Sequence, residues 1–340
     1  MTTTPLLELR QVSKHFRKSP GLLSRLRRAA GMPLPQSTVF AVDNVSLSIQ
    51  PGEVVGLVGE SGCGKSTLGR MAVGLHSLSA GERHWKGELI GSAAAPAPAA
   101  LLAKARHGLG MQMIFQDPQA SLNPRMRVQD IVGEAPVAHG IVPRAQQAEY
   151  VASLLERVGL DPAVIRHFPY QFSGGQRARV GIARALAVRP EFLVCDEAVA
   201  ALDVSIQAQI LNLFMRLRDE LNLTYLFISH DLNVVHHVSR RIVVMYLGRV
   251  VESIASERLF TDANHPYTRA LLAEVPTLEV RKKRFIAIQG ELPSPLAPPS
   301  GCHFHPRCPH AMPVCREQAP ALAEIAPGHH SACHLNRLPA

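Results

Sequence analysis

Apolar residues near the start of the chain follow the two-residue period of β-strands. Residues 6–12 and 39–58 are rich in β-forming side chains, and Val45–Ile49 alternates between apolar and polar positions. The run Val54–Val58 contains no polar side chain, which also indicates a strand. The pattern therefore predicts a β-rich beginning that ends in a strand at 54–58.

The second half of the chain alternates between helical and strand-like periodicity. Helical spacing runs through residues 144–159, 174–189 and 205–221. The short apolar runs Phe192–Cys195 and Thr224–Ile228 interrupt this spacing, as expected for strands of a parallel sheet. Such alternation favours an α/β layer fold. After about residue 255 proline becomes frequent and the pattern changes.

A glycine-rich segment connects the predicted strand Val54–Val58 to a predicted helix. Glycines allow backbone N–H groups to surround a phosphate, and the helix N-terminus adds a partial positive charge. Lys65 is then expected to reach the β- and γ-phosphates of a nucleotide, and the Ser66 hydroxyl to bind Mg²⁺. A glycine-rich turn that holds a lysine by chance is the alternative, which the flanking strand and helix disfavour. The segment fits the pattern GxxxxGK[ST] and consists of Gly59, Glu60, Ser61, Gly62, Cys63, Gly64, Lys65, Ser66 and Thr67.

Two carboxylates follow the apolar run Phe192–Cys195. Ligands of α/β sheets bind at the C-terminal ends of the strands, where Asp196 and Glu197 are expected to lie. Asp196 is the candidate to hold Mg²⁺, directly or through water, and Glu197 is the candidate general base for an attacking water. An acidic strand end that faces solvent is the alternative.

Further motifs resemble those of the ATP-binding cassette (ABC) ATPases. Phe172–Gln176 resembles the LSGGQ signature, with Phe172 in place of leucine. Gln116 resembles the Q-loop glutamine, Asp203 the D-loop aspartate and His230 the switch histidine. The resemblance implies a P-loop NTPase fold of the ABC type, α/β with a mixed-sheet core, a helical subdomain and a small Cys-rich C-terminal extension.

The same resemblance implies roles for these residues. Two chains would pair head to tail, so that each ATP lies between one P-loop and the other chain's signature, Ser173, Gly174, Gly175 and Gln176. Gln116 would contact Mg²⁺ and the attacking water and connect the site to a partner through residues 117–171. His230 would contact the γ-phosphate. An aromatic residue would stack on adenine; we expect Phe16, with Phe40 as the alternative.

Composition narrows the possible partners without deciding among them. The 340 residues carry 36 Lys and Arg against 27 Asp and Glu, a net charge of +9, with basic clusters in 17–38 and in Arg281–Arg284. This charge suits nucleic acid, a lipid surface or nucleotide phosphates. No apolar run approaches the roughly 20 residues of a membrane span, and the chain begins without the pattern of a secretory signal.

Four of the six cysteines lie in the last 39 residues, at positions 302, 308, 315 and 333. Disulfides are rare in the reducing cytosol, so clustered cysteines there more often bind metal. Their spacing differs from that of a zinc ribbon, and four thiolates suit a [4Fe–4S] cluster. Zinc and free thiols are the alternatives. The cluster ligands would be Cys302, Cys308, Cys315 and Cys333.

The end of the chain resembles that of dipeptide and oligopeptide importer ATPases, through His265–Leu272 and Gly301–Pro309. The basic insertion after Phe16 is similar to that of their F-type subunit. We therefore expect an ABC ATPase domain over 1–255, with a helical subdomain at about 117–171, and an importer-type extension over 256–340.

This resemblance implies an ATPase that energises peptide import at the cytoplasmic face of a bacterial inner membrane, as a peripheral protein. Its expected partners are a second, non-identical ATPase, two transmembrane permease subunits and, indirectly, an extracytoplasmic solute-binding protein, but no nucleic acid. A nickel or glutathione importer is one alternative, and a soluble ABC ATPase acting on nucleic acid or ribosomes is another. A non-catalytic partner with a degenerate site is disfavoured by Glu197 and His230.

Overall fold

Two β-sheets organise the chain. The computed structural model describes residues 4–17, 38–94, 107–275 and 290–337. The basic clusters in 18–37 and Arg281–Arg284, and most of the small-residue stretch 91–103, lie outside these residues. The first sheet is antiparallel, with strand order β2-β1-β4-β5. Its strands are β1 (Leu7–Arg17), β2 (Thr38–Ile49), β4 (Ala80–Trp85) and β5 (Glu88–Ser92).

The second sheet is mixed and has eight strands in the order β11-β12-β10-β9-β3-β8-β7-β6. The five strands from β9 to β6 are parallel, and the other three join by antiparallel pairing. Its strands are β3 (Val54–Val58), β6 (Met111–Ile114), β7 (Phe192–Asp196), β8 (Thr224–Ile228), β9 (Arg241–Tyr246), β10 (Arg249–Ala255), β11 (Ala323–Ala326) and β12 (His329–Ser331).

Helices cover this sheet and form most of the segment between β6 and β7. They are α1 (Lys65–Ala72), α2 (Pro118–Ser121), α3 (Val128–Ala138), α4 (Gln147–Arg157), α5 (Gly174–Leu186), α6 (Val204–Leu221), α7 (Leu232–Val238), α8 (Leu259–Asp262), α9 (Pro266–Ala273) and α10 (Pro313–Glu317).

The continuous apolar runs are buried on both faces, as predicted for β7 and β8. Every residue of β3, β7 and β8 is buried. In β7, Leu193 and Cys195 belong to the apolar cluster that contains the helical segment, α6 and α7. Phe192 and Val194 belong to the cluster that contains α1 and the antiparallel sheet. The large sheet is therefore the layer between two hydrophobic cores, and the predicted α/β fold with a mixed sheet is confirmed.

The C-terminal segment is part of the large sheet. Strand β12 pairs with β10, placing Glu252 opposite Ser331. Glu252 is fully buried, and its carboxylate accepts the backbone N–H groups of Asn264 (2.7 Å) and His265 (3.1 Å). His329 Nε2 lies 2.7 Å from the same carboxylate. A buried carboxylate is tolerated only when its oxygens have partners, so this network fixes the segment to the sheet.

His265 lies beside this network and caps helix α9. Its Nδ1 accepts the backbone N–H of Tyr267 at 3.1 Å, and the ring also hydrogen-bonds the backbone of Ala332. Because Nδ1 accepts, the hydrogen-bond network assigns a neutral ring with the proton on Nε2. Burial lowers the pKa of His265 to about 4, and only the hydrogen bond to the Ala332 backbone opposes this shift.

This burial predicts a loss of stability in mild acid. An unfolded histidine titrates near 6.5, so between pH 6.5 and 4 the unfolded chain binds more protons and stability falls as the pH falls. From pH 7.5 to 5, His265 alone is expected to remove about 2 kcal/mol from the free energy of unfolding. The difference between the urea midpoint at pH 7.5 and that at pH 5 should be smaller for His265→Gln than for the wild type. The exposed His139→Gln is the control; equal differences in all three proteins would contradict the assignment.

Candidate functional site

The P-loop connects β3 to α1 and holds Lys65 in a buried position. Lys65 is 5% exposed, and its Nζ donates to the carbonyl oxygens of Gly59 (2.6 Å) and Glu60 (3.0 Å). Gly64, with φ +106°, is the N-cap of α1. The ammonium group is therefore held within the loop, at the positive end of a helix, where a phosphate group binds favourably.

Two other strands confine this loop. A Cβ on Gly64 would lie 2.1 Å from the carbonyl oxygen of Ala41 in β2. A Cβ on Gly59, whose φ is +149°, would lie 2.2 Å from the carbonyl oxygen of Met245 in β9. Backbone atoms cannot yield to such contacts, so the two glycines are required by the packing as well as by their φ angles.

Ser66 and Asp196 form a pair at the C-terminal edge of the sheet. Ser66 Oγ donates to Asp196 Oδ1 at 2.7 Å, and Asp196 is 1% exposed. Burial raises the pKa of Asp196, while the Ser66 hydrogen bond and the charges of Arg70 and Lys65 oppose that effect. A hydroxyl and a carboxylate oxygen at this distance fit the oxygen ligands that Mg²⁺ prefers.

Glu197 brings the three candidate catalytic residues together. Gln116 Nε2 donates to Glu197 Oε2 at 2.7 Å, and His230 Nδ1 lies 3.5 Å from Glu197 Oε1. The side chain of His230 is 59% exposed and that of Glu197 only 16%. Glu197 has φ +47°, in the left-handed region that non-glycine residues rarely occupy. Such backbone strain is characteristic of functional sites.

The signature begins helix α5 with its own cap. Ser173 Oγ accepts the backbone N–H of Gln176 at 3.3 Å, and Gln176 Oε1 accepts that of Ser173 at 2.9 Å. Gly175 packs so closely on α6 that a Cβ would lie 2.5 Å from Ile206 Cγ2. Phe172 is buried, as an apolar residue in place of leucine requires. Among the described residues, no hydrogen bond connects residues 173–176 to the P-loop.

The remaining predicted site residues lie at the margins. Asp203 is the N-cap residue of α6. Phe16 is 36% exposed and contacts the His76 ring edge-to-face, with centroids 5.5 Å apart. Phe40 contacts the ring of His15 at 4.7 Å. Since β1 and β2 pair Phe16 with Val39 and His15 with Phe40, the two phenylalanines are on opposite faces of the sheet.

The four C-terminal cysteines are free thiols. Burial, together with smaller effects of the other three cysteines, raises the pKa of Cys302 to about 11. Cys302 N–H donates to the carbonyl of Cys315 at 2.8 Å, next to Gly301, where a Cβ would meet that same carbonyl. Nevertheless, no group of three or more His, Cys, Asp or Glu within the described part of the chain is arranged to hold a metal ion. The predicted cluster site is therefore not preformed.

Sequence reasoning missed two contacts on the P-loop. Tyr267 OH accepts the backbone N–H of Glu60 at 2.9 Å, and Arg307 Nη1 donates to Glu60 Oε2 at 2.8 Å. Both residues lie far along the chain, and neither carries a local signal for this contact. The described helices include none that is long and apolar enough to cross a membrane.

Comparisons with known proteins agree with this geometry. The family described as ABC transporter matches residues 42–200, and the family described as the C-terminal region of oligopeptide/dipeptide transporters matches 251–315. The oligopeptide transport ATP-binding protein AppF of Bacillus subtilis is 47% identical over 333 residues, covering 97% of each chain.

Solved structures give the same architecture. An ATP-binding cassette solved as a dimer in a post-hydrolysis state, bound to ADP and Pi, is similar with TM-score 0.59 and 26% identity, over 74% of this chain and 98% of that one. The cbiO1 protein of Clostridium perfringens, part of the ABC transporter complex cbiONQ, has TM-score 0.60 and 24% identity, over 76% of this chain and 92% of its own. This last likeness supports the fold alone.

The confined P-loop predicts different effects for two similar substitutions. Gly64→Ala should lower the free energy of unfolding by about 2–4 kcal/mol and remove nucleotide binding, because its Cβ meets the backbone of β2. Gly62 has φ +79°, but no atom lies within 4 Å of an added Cβ, so Gly62→Ala should lower the free energy of unfolding by only about 1 kcal/mol. Thermal melts and titration with a fluorescent ATP analogue compare the two. Similar behaviour of both variants would contradict the role of packing at Gly64.

Proposed function

The chain belongs to the ABC transporter ATPases, and on that basis we propose that it hydrolyses ATP to energise the import of dipeptides or oligopeptides through separate membrane subunits. The observation that carries the hydrolytic function is the Glu197 carboxylate, held between Gln116 and His230 beside the Ser66–Asp196 pair. The match of 251–315 to the oligopeptide/dipeptide transporter region and the likeness to AppF support a peptide over a nickel complex as the cargo.

The described residues fit ATP and Mg²⁺. Bound Mg²⁺ would neutralise charge on the phosphates. The P-loop N–H groups bind the phosphate oxygens, and Lys65 exchanges its carbonyl partners for the β- and γ-phosphates. Ser66 and Asp196 supply the metal ligands from the protein, and Gln116 lies close enough to Glu197 to serve the same centre.

Glu197 accepts a proton from the attacking water in this proposal. Its Oε2 is occupied by the Gln116 amide, which fixes the orientation of the carboxylate. The Oε1 atom faces His230, whose exposed ring is free to contact the γ-phosphate. A general base needs this kind of fixed orientation, because proton transfer requires hydrogen-bond distance to the water.

The signature acts on a second chain in this proposal. The backbone N–H groups at the start of α5, with Ser173, Gly174 and Gly175, form an anion site. The solved dimer of a similar cassette supports the pairing of two chains, and we propose that they pair head to tail. We propose a second, non-identical ATPase as the partner, with two permease subunits and an extracytoplasmic solute-binding protein. This assembly would place the chain at the cytoplasmic face of the membrane.

Two further assignments remain proposals. Phe16 is the preferred residue for stacking on adenine, since its ring is 36% exposed at the end of β1. We also propose the division into an ATPase domain over 1–255, with a helical subdomain at about 117–171, and an extension over 256–340. The run of helices α2 to α4 after Gln116 supports the helical subdomain.

We propose in addition that Cys302, Cys308, Cys315 and Cys333 bind a [4Fe–4S] cluster. The hydrogen bond from the Cys302 N–H to the Cys315 carbonyl, at 2.8 Å, supports the proposal, since it holds two of these residues side by side. Their arrangement does not form a ready ligand set, so the segment must rearrange when the cluster binds. Burial favours the neutral thiols, which disfavours metal binding until that rearrangement.

Hydrolysis is tested by Glu197→Gln, which keeps the shape of the side chain and removes the base. We expect kcat for ATP to fall by about 10²–10⁴-fold, with the Kd for ATP close to that of the wild type. The exposed Glu156→Gln in α4 is the matched control and should retain full turnover. Turnover of Glu197→Gln within threefold of the wild type would refute the general-base assignment.

The same variant also tests the partner. ATP-loaded Glu197→Gln should remain monomeric in size-exclusion chromatography if a non-identical ATPase is required. A dimer formed by this chain alone would show that the pairing is homodimeric instead.

Metal content tests the cysteine proposal. Protein purified without oxygen should contain about four iron and four sulfide ions per chain and absorb visible light. Cys315→Ser should lose the iron. Zinc in place of iron would support the zinc alternative, and the absence of both metals would leave the four cysteines as free thiols.

A further inference from the structure

Glu60, the second residue of the P-loop, is held by two residues of the C-terminal segment. Its backbone N–H donates to Tyr267 OH at 2.9 Å. Its carboxylate accepts from Arg307 Nη1 at 2.8 Å. The Arg307 side chain is only 8% exposed and that of Glu60 23%. This ion pair is thus largely shielded from water and more effective than one on an open surface.

An aromatic cluster fixes the position of Arg307. The ring of Tyr246 lies 4.6 Å from that of Tyr267 and 5.2 Å from that of Phe304, which is 2% exposed. The Arg307 guanidinium lies 5.9 Å from the Tyr246 ring and also donates to its hydroxyl at 3.4 Å. Phe304 therefore anchors the short turn His305–Arg307 in the core and presents the guanidinium to Glu60.

Glu60 transmits this restraint to the phosphate-binding groups. Its carbonyl oxygen accepts Lys65 Nζ at 3.0 Å and the backbone N–H of Cys63 at 3.3 Å. One residue thus connects Arg307 and Tyr267 on one side with the P-loop lysine on the other. A rotation of Glu60 would move the carbonyl that positions Lys65.

We propose that Arg307, together with Tyr267, is a positioning residue of the ATP site that holds Glu60 so that the P-loop is preformed for a triphosphate. The proposal rests on the ATP-binding function proposed above. It makes the C-terminal segment a component of the ATP site.

A role limited to attaching the segment is the alternative. Attachment, however, already has its own contacts, in the β10–β12 pairing and the buried Glu252–His329 pair. Arg307 instead forms an ion pair with Glu60, whose carbonyl oxygen also contacts Lys65. Preorganisation of this kind increases affinity because the loop loses less freedom when the ligand binds.

Arg307→Gln tests the proposal in the full-length protein. We expect the Kd and the KM for ATP to rise roughly tenfold, with kcat within about threefold of the wild type. Arg307→Lys keeps a charge near Glu60 and should recover part of the affinity. Glu60→Gln removes the same pair from the other side, and its effect should not add to that of Arg307→Gln.

Arg249→Gln is the matched control. Arg249 binds Asp43 at 2.7 Å and the carbonyl of Gly301 at 3.4 Å, so it connects the segment to the core without an ion pair to the P-loop. This variant should lower the melting temperature but leave the Kd for ATP unchanged.

Four outcomes separate the hypotheses. Wild-type affinity in Arg307→Gln, with a lowered melting temperature, would overturn the proposal, as would equal losses of affinity in Arg249→Gln. If Arg307→Gln does not fold, wild-type affinity in Glu60→Gln overturns the proposal in the same way. If the wild type itself binds no ATP, the proposed function fails, and the result is distinct from a failure of Arg307.

Discussion

The parallel register of β6, β7 and β8 is the constraint on which the site depends. Hydrogen bonding places Ile114 opposite Cys195, and Asp196 opposite Ile228. Gln116 and His230 follow Ile114 and Ile228 by two residues, and Glu197 follows Asp196 directly. The three side chains therefore emerge at one edge of the sheet. Every residue of β7 and β8 and three of the four residues of β6 are buried. A slip of one residue would move packed side chains from one core to the other, so the register is strongly fixed. The distances around Glu197 follow from packing more than from any contact within the site.

This rigid sheet also explains how a strained residue persists at the centre of the site. A backbone at φ +47° costs Glu197 on the order of 1–2 kcal/mol. Its N–H donates to Ile228 and its carbonyl accepts from Ala200, at 3.0 and 3.1 Å, so the conformation is held on both sides. The strain turns the chain sharply after Asp196. As a result, neighbouring carboxylates take different partners: Ser66 for Asp196, and Gln116 with His230 for Glu197.

The parts of the fold that sequence predicted are those whose signal is local. Val54–Val58 and Phe192–Cys195 are continuously apolar, and both are buried strands. The motifs of the site are likewise short and contiguous. Strand β4 escaped prediction because it mixes polar residues such as Arg83 with the apolar Trp85, and burial of Arg83 depends on the carbonyl of Met71. Arg307 and Glu60 are 247 residues apart, and no local pattern encodes such a contact.

The C-terminal segment joins the protein at two places with different physical characters. One is the sheet edge, where the buried Glu252 must keep all its partners and permits little movement. The other is the P-loop, where Arg307 meets the partly exposed Glu60. Between them the aromatic cluster of Tyr246, Tyr267 and Phe304 gives a rigid connection. A rearrangement at Cys308, next to Arg307 in sequence, would therefore act on a segment that is connected to Lys65 through Glu60. Because the buried network at the sheet edge permits little movement, we expect such a change to move the end of the segment that contacts the P-loop.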